Sequence, residues 1–258
     1  MKTEQGREEY GIIEPVQHKL PVINLLRVPH GESALVVAHP AFGPSSLSDN
    51  ISKMQRFYTH PTTKQRISFR ALTTAESLAV AGYDFRNLAK PQIFCPSCLQ
   101  AGYVLKTAEG VWINPLRTAE GDVIIDEKKL EQQLGKTNRV NGIYLFDGDS
   151  SFVPLSSFQM GVQEHGRFLE GGLARGLVHT ADNKATTLSS ITNNTEYPKG
   201  VNVSGFDSVE SPYLKLVRLS SYWFIDGDRL DVYGDWIGSD VGGYAFGGLV
   251  SGEASAKN

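Results

Sequence analysis

The chain has 258 residues, 40% of them hydrophobic and 21% charged, with a formal net charge of −3. A chain of this length can bury a core without disulfides or metal staples, and its slightly acidic balance does not favour nucleic acid in bulk. It has no apolar run of about 18 residues to cross a bilayer and no apolar core after Lys2 to act as a secretory signal. The expectation is a cytoplasmic protein with no membrane partner.

The polar residues 1–10 and 251–258 read as flexible ends. Between them, 11–250 reads as a single α+β domain with a weak boundary near 148–154. Leu20–Val28 and Ser33–His39 read as strands joined by the turn Pro29-His30-Gly31-Glu32. Leu47, Ile51, Met54 and Tyr58 recur at helical spacing and predict a helix over Leu47–Tyr58, capped by Ser46 and ended by His60-Pro61. Arg66–Arg70 alternates as a strand does. Thr73-Thr74-Ala75-Glu76 is a capping box that opens a helix to about Ala89, ahead of Pro91.

Tyr103–Lys106 and Val111–Asn114 read as a hairpin around Glu109-Gly110. Asp126 caps a short helix over Glu127–Leu134, stopped by Gly135. Val140–Phe146 reads as one strand, closed by the turn Asp147-Gly148-Asp149-Ser150. Ser157–Ser190 is mostly helical in pattern, broken into two helices at Gly171-Gly172. Strands return at Gly200–Phe206, Leu214–Ile225, Arg229–Tyr233 and Gly243–Val250, with Asp226-Gly227-Asp228 as a turn. Helices and strands do not alternate regularly. The expectation is therefore a mixed, largely antiparallel sheet with hairpins near both ends and helices packed on it.

Cys95-Pro96-Ser97-Cys98 is the sharpest chemical feature. Two cysteines at this spacing can grip one tetrahedral metal ion. The segment resembles half of a zinc ribbon, with Leu99 where the ribbon knuckle carries glycine. That resemblance implies Cys95 and Cys98 as zinc ligands. The other two ligands could come from histidines (His18, His30, His39, His60, His165, His179), none of them paired at the usual spacing, or from a second chain in a homodimer; the alternatives are an ancestral site that has lost its metal and two ordinary thiols in a loop. The same four residues resemble a glutaredoxin-type dithiol, which needs a helix from Leu99 so that its N-terminus lowers the thiol pKa. Pro154 follows the Val140–Phe146 strand, the wrong order for that fold.

The remaining candidates are scattered. His30, His39 and Asp228 could assemble into an enzyme site. Asp226, Asp228, Asp231 and Asp235 form the densest acidic cluster but lack a calcium-loop pattern, and read as a polar turn. His179 follows Arg175 by four residues, and a neighbouring cation disfavours a charged imidazole. Asn50–Lys106 carries eight basic against two acidic residues, and 205–258 eight acidic against four basic. Phe57, Tyr58 and Phe69 lie among the basic residues, a pattern that can serve nucleic acid, although Tyr58 and Phe69 sit on apolar faces. Walker, His-Glu-x-x-His and Gly-x-Ser-x-Gly motifs are absent. Three readings follow. The first is a binding or structural module with a zinc knuckle. The others are an enzyme built from scattered residues and a nucleic-acid binder using residues 50–106.

Overall fold

The computed structural model describes residues 20–30, 33–87, 99–192, 200–221, 229–236 and 243–250. Strands β1 (Asn24–His30) and β2 (Ser33–His39) pair antiparallel, from Asn24 opposite His39 to His30 opposite Ser33. β1 starts later than the apolar run that begins at Leu20. Residues 20–23 lie instead beside Thr59, whose N–H donates to the Pro21 carbonyl at 2.9 Å.

After β3 (Phe42–Ser45) comes α1 (Leu47–Met54). Ser46 caps it as expected, its Oγ accepting from Asp49 N–H at 3.1 Å. The helix ends at Met54, and Tyr58 belongs to β4 (Tyr58–Thr59), paired with β5 (Arg66–Ile67). The pull is aromatic. Tyr58, Phe42 and Phe69 form a trio of edge-to-face contacts with centroids 5.6–5.9 Å apart. β6 (Phe69–Ala71) leads into α2 (Thr74–Asn87).

β7 (Leu99–Lys106) and β8 (Gly110–Ile113) pair antiparallel. A helix from Leu99 is thus corrected to a strand, and the dithiol reading loses the helix dipole it requires. The Leu99–Lys106 side chains are nearly all buried, and such an apolar run packs equally well in a strand buried on both faces. α3 (Glu127–Leu134) begins at Asp126, whose Oδ1 accepts from Lys129 N–H at 3.1 Å.

The single strand expected over Val140–Phe146 is a hairpin, β9 (Arg139–Val140) and β10 (Ile143–Leu145). Asn141 (φ 48°) and Gly142 (φ 90°) turn it in the left-handed conformations that asparagine and glycine tolerate. β11 (Ser151–Pro154) pairs with β8 on one side and β10 on the other. β12 (Gly161–Gln163) replaces the front of the expected helical region, and α4 (His165–Glu170) and α5 (Gly172–Leu177) divide at Gly171-Gly172. A short α6 (Ser189–Thr192) follows.

β13 (Val201–Ser204), β14 (Tyr213–Ser221), β15 (Leu230–Trp236), β16 (Gly243–Ala245) and β17 (Gly247–Leu249) complete the chain. The main sheet runs β12-β13-β15-β14-β7-β8-β11-β10-β9, with β16 joining β3 to β7. A second sheet runs β1-β2-β17-β6. Most pairings are antiparallel, but β13–β15 and β16–β7 are parallel. The protein is therefore α+β with mixed sheets. α2, α4, α5 and α6 bury Leu78, Val80, Phe168, Leu173, Leu177 and Ile191 in one core with β7, β8 and β14. Among the described residues no helix is long and apolar enough to cross a membrane.

Candidate functional site

The start of α2 is built from local sequence. Thr73 Oγ1 accepts from Glu76 N–H at 3.2 Å, and Thr73 N–H donates to Glu76 Oε2 at 2.9 Å, the reciprocal pattern of a capping box. Arg70 then donates twice to Glu76, at 2.7 and 2.6 Å. Burial pushes the Glu76 carboxyl up, but the bonds from Arg70 and the Thr73 N–H outweigh it and hold the group below its usual range. Thr73 Oγ1 in turn donates to Asp149 Oδ2 at 2.7 Å, while Asn114 Nδ2 donates to the Gly148 carbonyl at 2.6 Å. The Asp147–Ser150 turn, with Gly148 and Asp149 both at positive φ, is thus tied to α2 and to the end of β8.

Beside this junction lies a cavity of about 430 Å³, within the range of small-molecule sites. Leu47, Ile51 and Met54 of α1 line it together with Leu72, Ala245 and Phe246. The polar residues Thr73, Ser77, Gln100, Asn114 and Arg117, with Tyr103, complete the lining. Five segments therefore contribute: α1, the first turn of α2 with the residues before it, β7, the β8 exit and β16 with the residue after it.

A bulge in β7 helps to set this lining. Val217 of β14 faces Gly102 and Arg218 faces Gln100, so Ala101 is extra. At Gly102 (φ +152°), a Cβ would clash with the Thr74 hydroxyl, so glycine lets α2 approach the strand. Behind the cavity Asn50 is fully buried. Its Nδ2 donates to Gln100 Oε1 and to the Gly243 carbonyl, both at 2.9 Å. Gln100 Nε2 donates to the Ser45 carbonyl at 3.1 Å. Asn50 Oδ1 and Thr74 Oγ1 are buried and have no partner among the described residues.

On the far side of the Asp147–Ser150 turn, His179 Nδ1 lies 3.1 Å from Ser151 Oγ. Ser151 is fully buried, so this pair holds the imidazole and offers no accessible nucleophile. Burial pushes the His179 pKa down, against the carboxylates of Asp149 and Asp147. Burial, rather than Arg175, is thus the first cause of its neutrality.

The sequence-derived candidates are dispersed. Cys95, Cys98, His18 and Asp228 lie outside the described residues. His30 and His39 stand at opposite ends of the β1–β2 ladder, about 20 Å apart at ~3.3 Å per residue. His60 Nδ1 accepts from the N–H groups of Thr62 and Thr63, both at 3.1 Å, and so closes a turn. His165 begins α4. Among the described residues, no three His, Cys, Asp or Glu side chains gather at a common point.

Of the acidic cluster, Asp226 also lies outside the described residues, and the two described members differ in their partners. Asp231 accepts from Asn202 Nδ2 at 2.8 Å, and Asp235 lies 3.2 Å from Lys215 Nζ and 4.0 Å from Lys106 Nζ. In the basic stretch, Tyr58 and Phe69 pack against Phe42, and Arg66 stacks on Phe57 at 3.1 Å from the ring centroid. Sequence reasoning missed Ser77, Gln100, Asn114 and Arg117. Their only linear signal was Thr73-Thr74-Ala75-Glu76, which marks where α2 begins. Comparison of the chain with protein-family models, with curated proteins and with solved structures found no match.

Proposed function

We propose that the chain is a binding module that takes a small ligand with an apolar body and a polar end in the cavity beside the first turn of α2. One observation carries this reading. Aliphatic and aromatic side chains line the same cavity as Thr73, Ser77, Gln100 and Asn114, which reach it from separate segments. Arg117, exposed at the cavity, favours a ligand whose polar end is anionic.

The probe is 8-anilinonaphthalene-1-sulfonate, an aromatic anion of suitable size. The expected result is saturable one-to-one fluorescence that weakens in Arg117→Ala and disappears in Ser77→Leu, which fills the cavity. Binding that is unsaturable, or indifferent to Ser77→Leu, rejects the reading.

A separate proposal rests on residue spacing alone: Cys95 and Cys98 hold zinc, with the remaining ligands from this chain or from a second copy in a homodimer. Elemental analysis with thiol counting and a solution mass tests it. Zinc in stoichiometric amount with protected thiols supports the knuckle, and two freely reactive thiols without zinc reject it.

A further inference from the structure

Arg175, on α5, is only 7% exposed. Its Nε reaches the Gly171 carbonyl of its own helix at 3.4 Å, a long contact. Among the described residues no carboxylate pairs with its guanidinium, and burial alone pushes its pKa down. A charge held largely out of water with no counter-charge is costly, and an anion reaching its exposed edge would offset that cost.

The Asn141-Gly142 turn shows where that counter-charge fits. A Cβ placed on Gly142 would lie 3.9 Å from Arg175 Nη2, 3.9 Å from Arg139 Nη2 and 3.7 Å from Ser157 Cβ. Two guanidinium groups, one from α5 and one from β9, therefore flank the same space over a glycine that leaves it open. Like charges repel at such separations unless an anion lies between them. Guanidinium donors hold oxyanion oxygens at about 2.7–2.9 Å, so both arginines can engage different oxygens of one anion there. Two forks approaching from separate elements suit a tetrahedral group with several oxygens better than a planar carboxylate, which one fork satisfies.

We infer that Arg139 and Arg175 form a binding site for a tetrahedral oxyanion of the phosphate or phosphomonoester class, seated over the Asn141-Gly142 turn. The site shares no residue with the cavity beside α2, so each can fail without the other.

The test is a titration of the ¹⁵N-labelled full chain with inorganic phosphate at constant ionic strength, followed at the Asn141 and Gly142 amides. Saturable shifts are expected with phosphate and not with chloride or acetate. Arg139→Gln, at an exposed position, weakens binding by at least about tenfold, the loss of a charge-assisted contact. Arg175→Met does the same where it folds, and Ser77→Leu leaves phosphate binding unchanged. A parallel titration with phenyl phosphate identifies the source. Tighter binding than inorganic phosphate assigns the site to a phosphorylated molecule, and equal or weaker binding assigns it to the free ion. Absence of a saturable shift at Gly142, or unchanged affinity in Arg139→Gln, overturns the inference.

Discussion

Arg70 and Arg175 are treated in opposite ways. Arg70 is 47% exposed at its side chain, yet it donates twice to Glu76, whose side chain is 10% exposed and also accepts from the Thr73 N–H. Arg175 is buried and, among the described residues, has no acid. The first arrangement satisfies itself, so its residues secure the start of α2 and need nothing from outside. The second leaves a charge for something else to neutralise. Where a buried polar group closes its own accounts it reads as structure, and where it does not it points to a ligand.

If the start of α2 is self-contained, disturbing it should be expensive. Gly102→Ala should cost most, about 3 kcal/mol, because the new Cβ meets the Thr74 hydroxyl at a backbone angle that disfavours side chains. Chemical denaturation reads this directly, and a loss under about 1 kcal/mol would mean that α2 does not sit against β7 as closely as the geometry indicates. Glu76→Ala should cost about 2 kcal/mol, since it removes a capping carboxylate and strands Arg70. The sign with pH follows from its lowered pKa. The Glu76 contribution is fully present above the ordinary value of 4.5 and is lost as pH falls through the lower folded value. Glu76→Gln should therefore flatten the acid limb of a stability–pH curve below about pH 4.5.

The same contrast explains what the sequence disclosed. Ser46, Thr73-Glu76 and Asp126 were readable because a cap is a bond between residues three apart. The β9–β10 hairpin was also locally encoded, since Asn-Gly is a strong turn signal, but the apolar run around it reads as one strand. β12 was hidden for another reason. Gly161–Gln163 becomes a strand by pairing with Val201–Val203, some forty residues away. Tyr58 left the helical stripe for the ring cluster with Phe42 and Phe69, again through non-local packing. The cavity residues Ser77, Gln100, Asn114 and Arg117 have no common spacing and meet only through the sheet. Arg175 resembles any other helical arginine until its burial is known.

Substitution at the second arginine should have the opposite sign. Arg175→Met keeps most of the buried aliphatic volume and removes a charge that no acid among the described residues offsets. In phosphate-free buffer the variant should be as stable as the parent or more so, by up to about 1 kcal/mol. Added phosphate should stabilise the parent more than the variant. A loss of 2 kcal/mol or more in phosphate-free buffer would place Arg175 with Arg70, as a group already satisfied within the fold.

His179 offers the smallest effect and falls between the two cases: its ring is partnered, yet burial still disfavours its charge. It sits at positive φ (50°), with Nδ1 beside the closed Ser151 hydroxyl. Its pKa is pushed below 6.5 by burial, despite the pull of Asp149 and Asp147. As pH falls through 6.5 the unfolded chain takes up this proton before the folded one does, so stability is full above 6.5 and declines toward the folded pKa. That window opens at 6.5, above the 4.5 at which the one assigned to Glu76 opens, so His179 is read first as pH falls. Between about pH 7 and pH 5.5 the parent should lose on the order of 2 °C in Tm, and His179→Gln should lose less. An identical slope in the variant would mean that the folded chain protonates His179 as readily as the unfolded chain does. The carboxylates of the Asp147–Ser150 turn would then offset its burial in full.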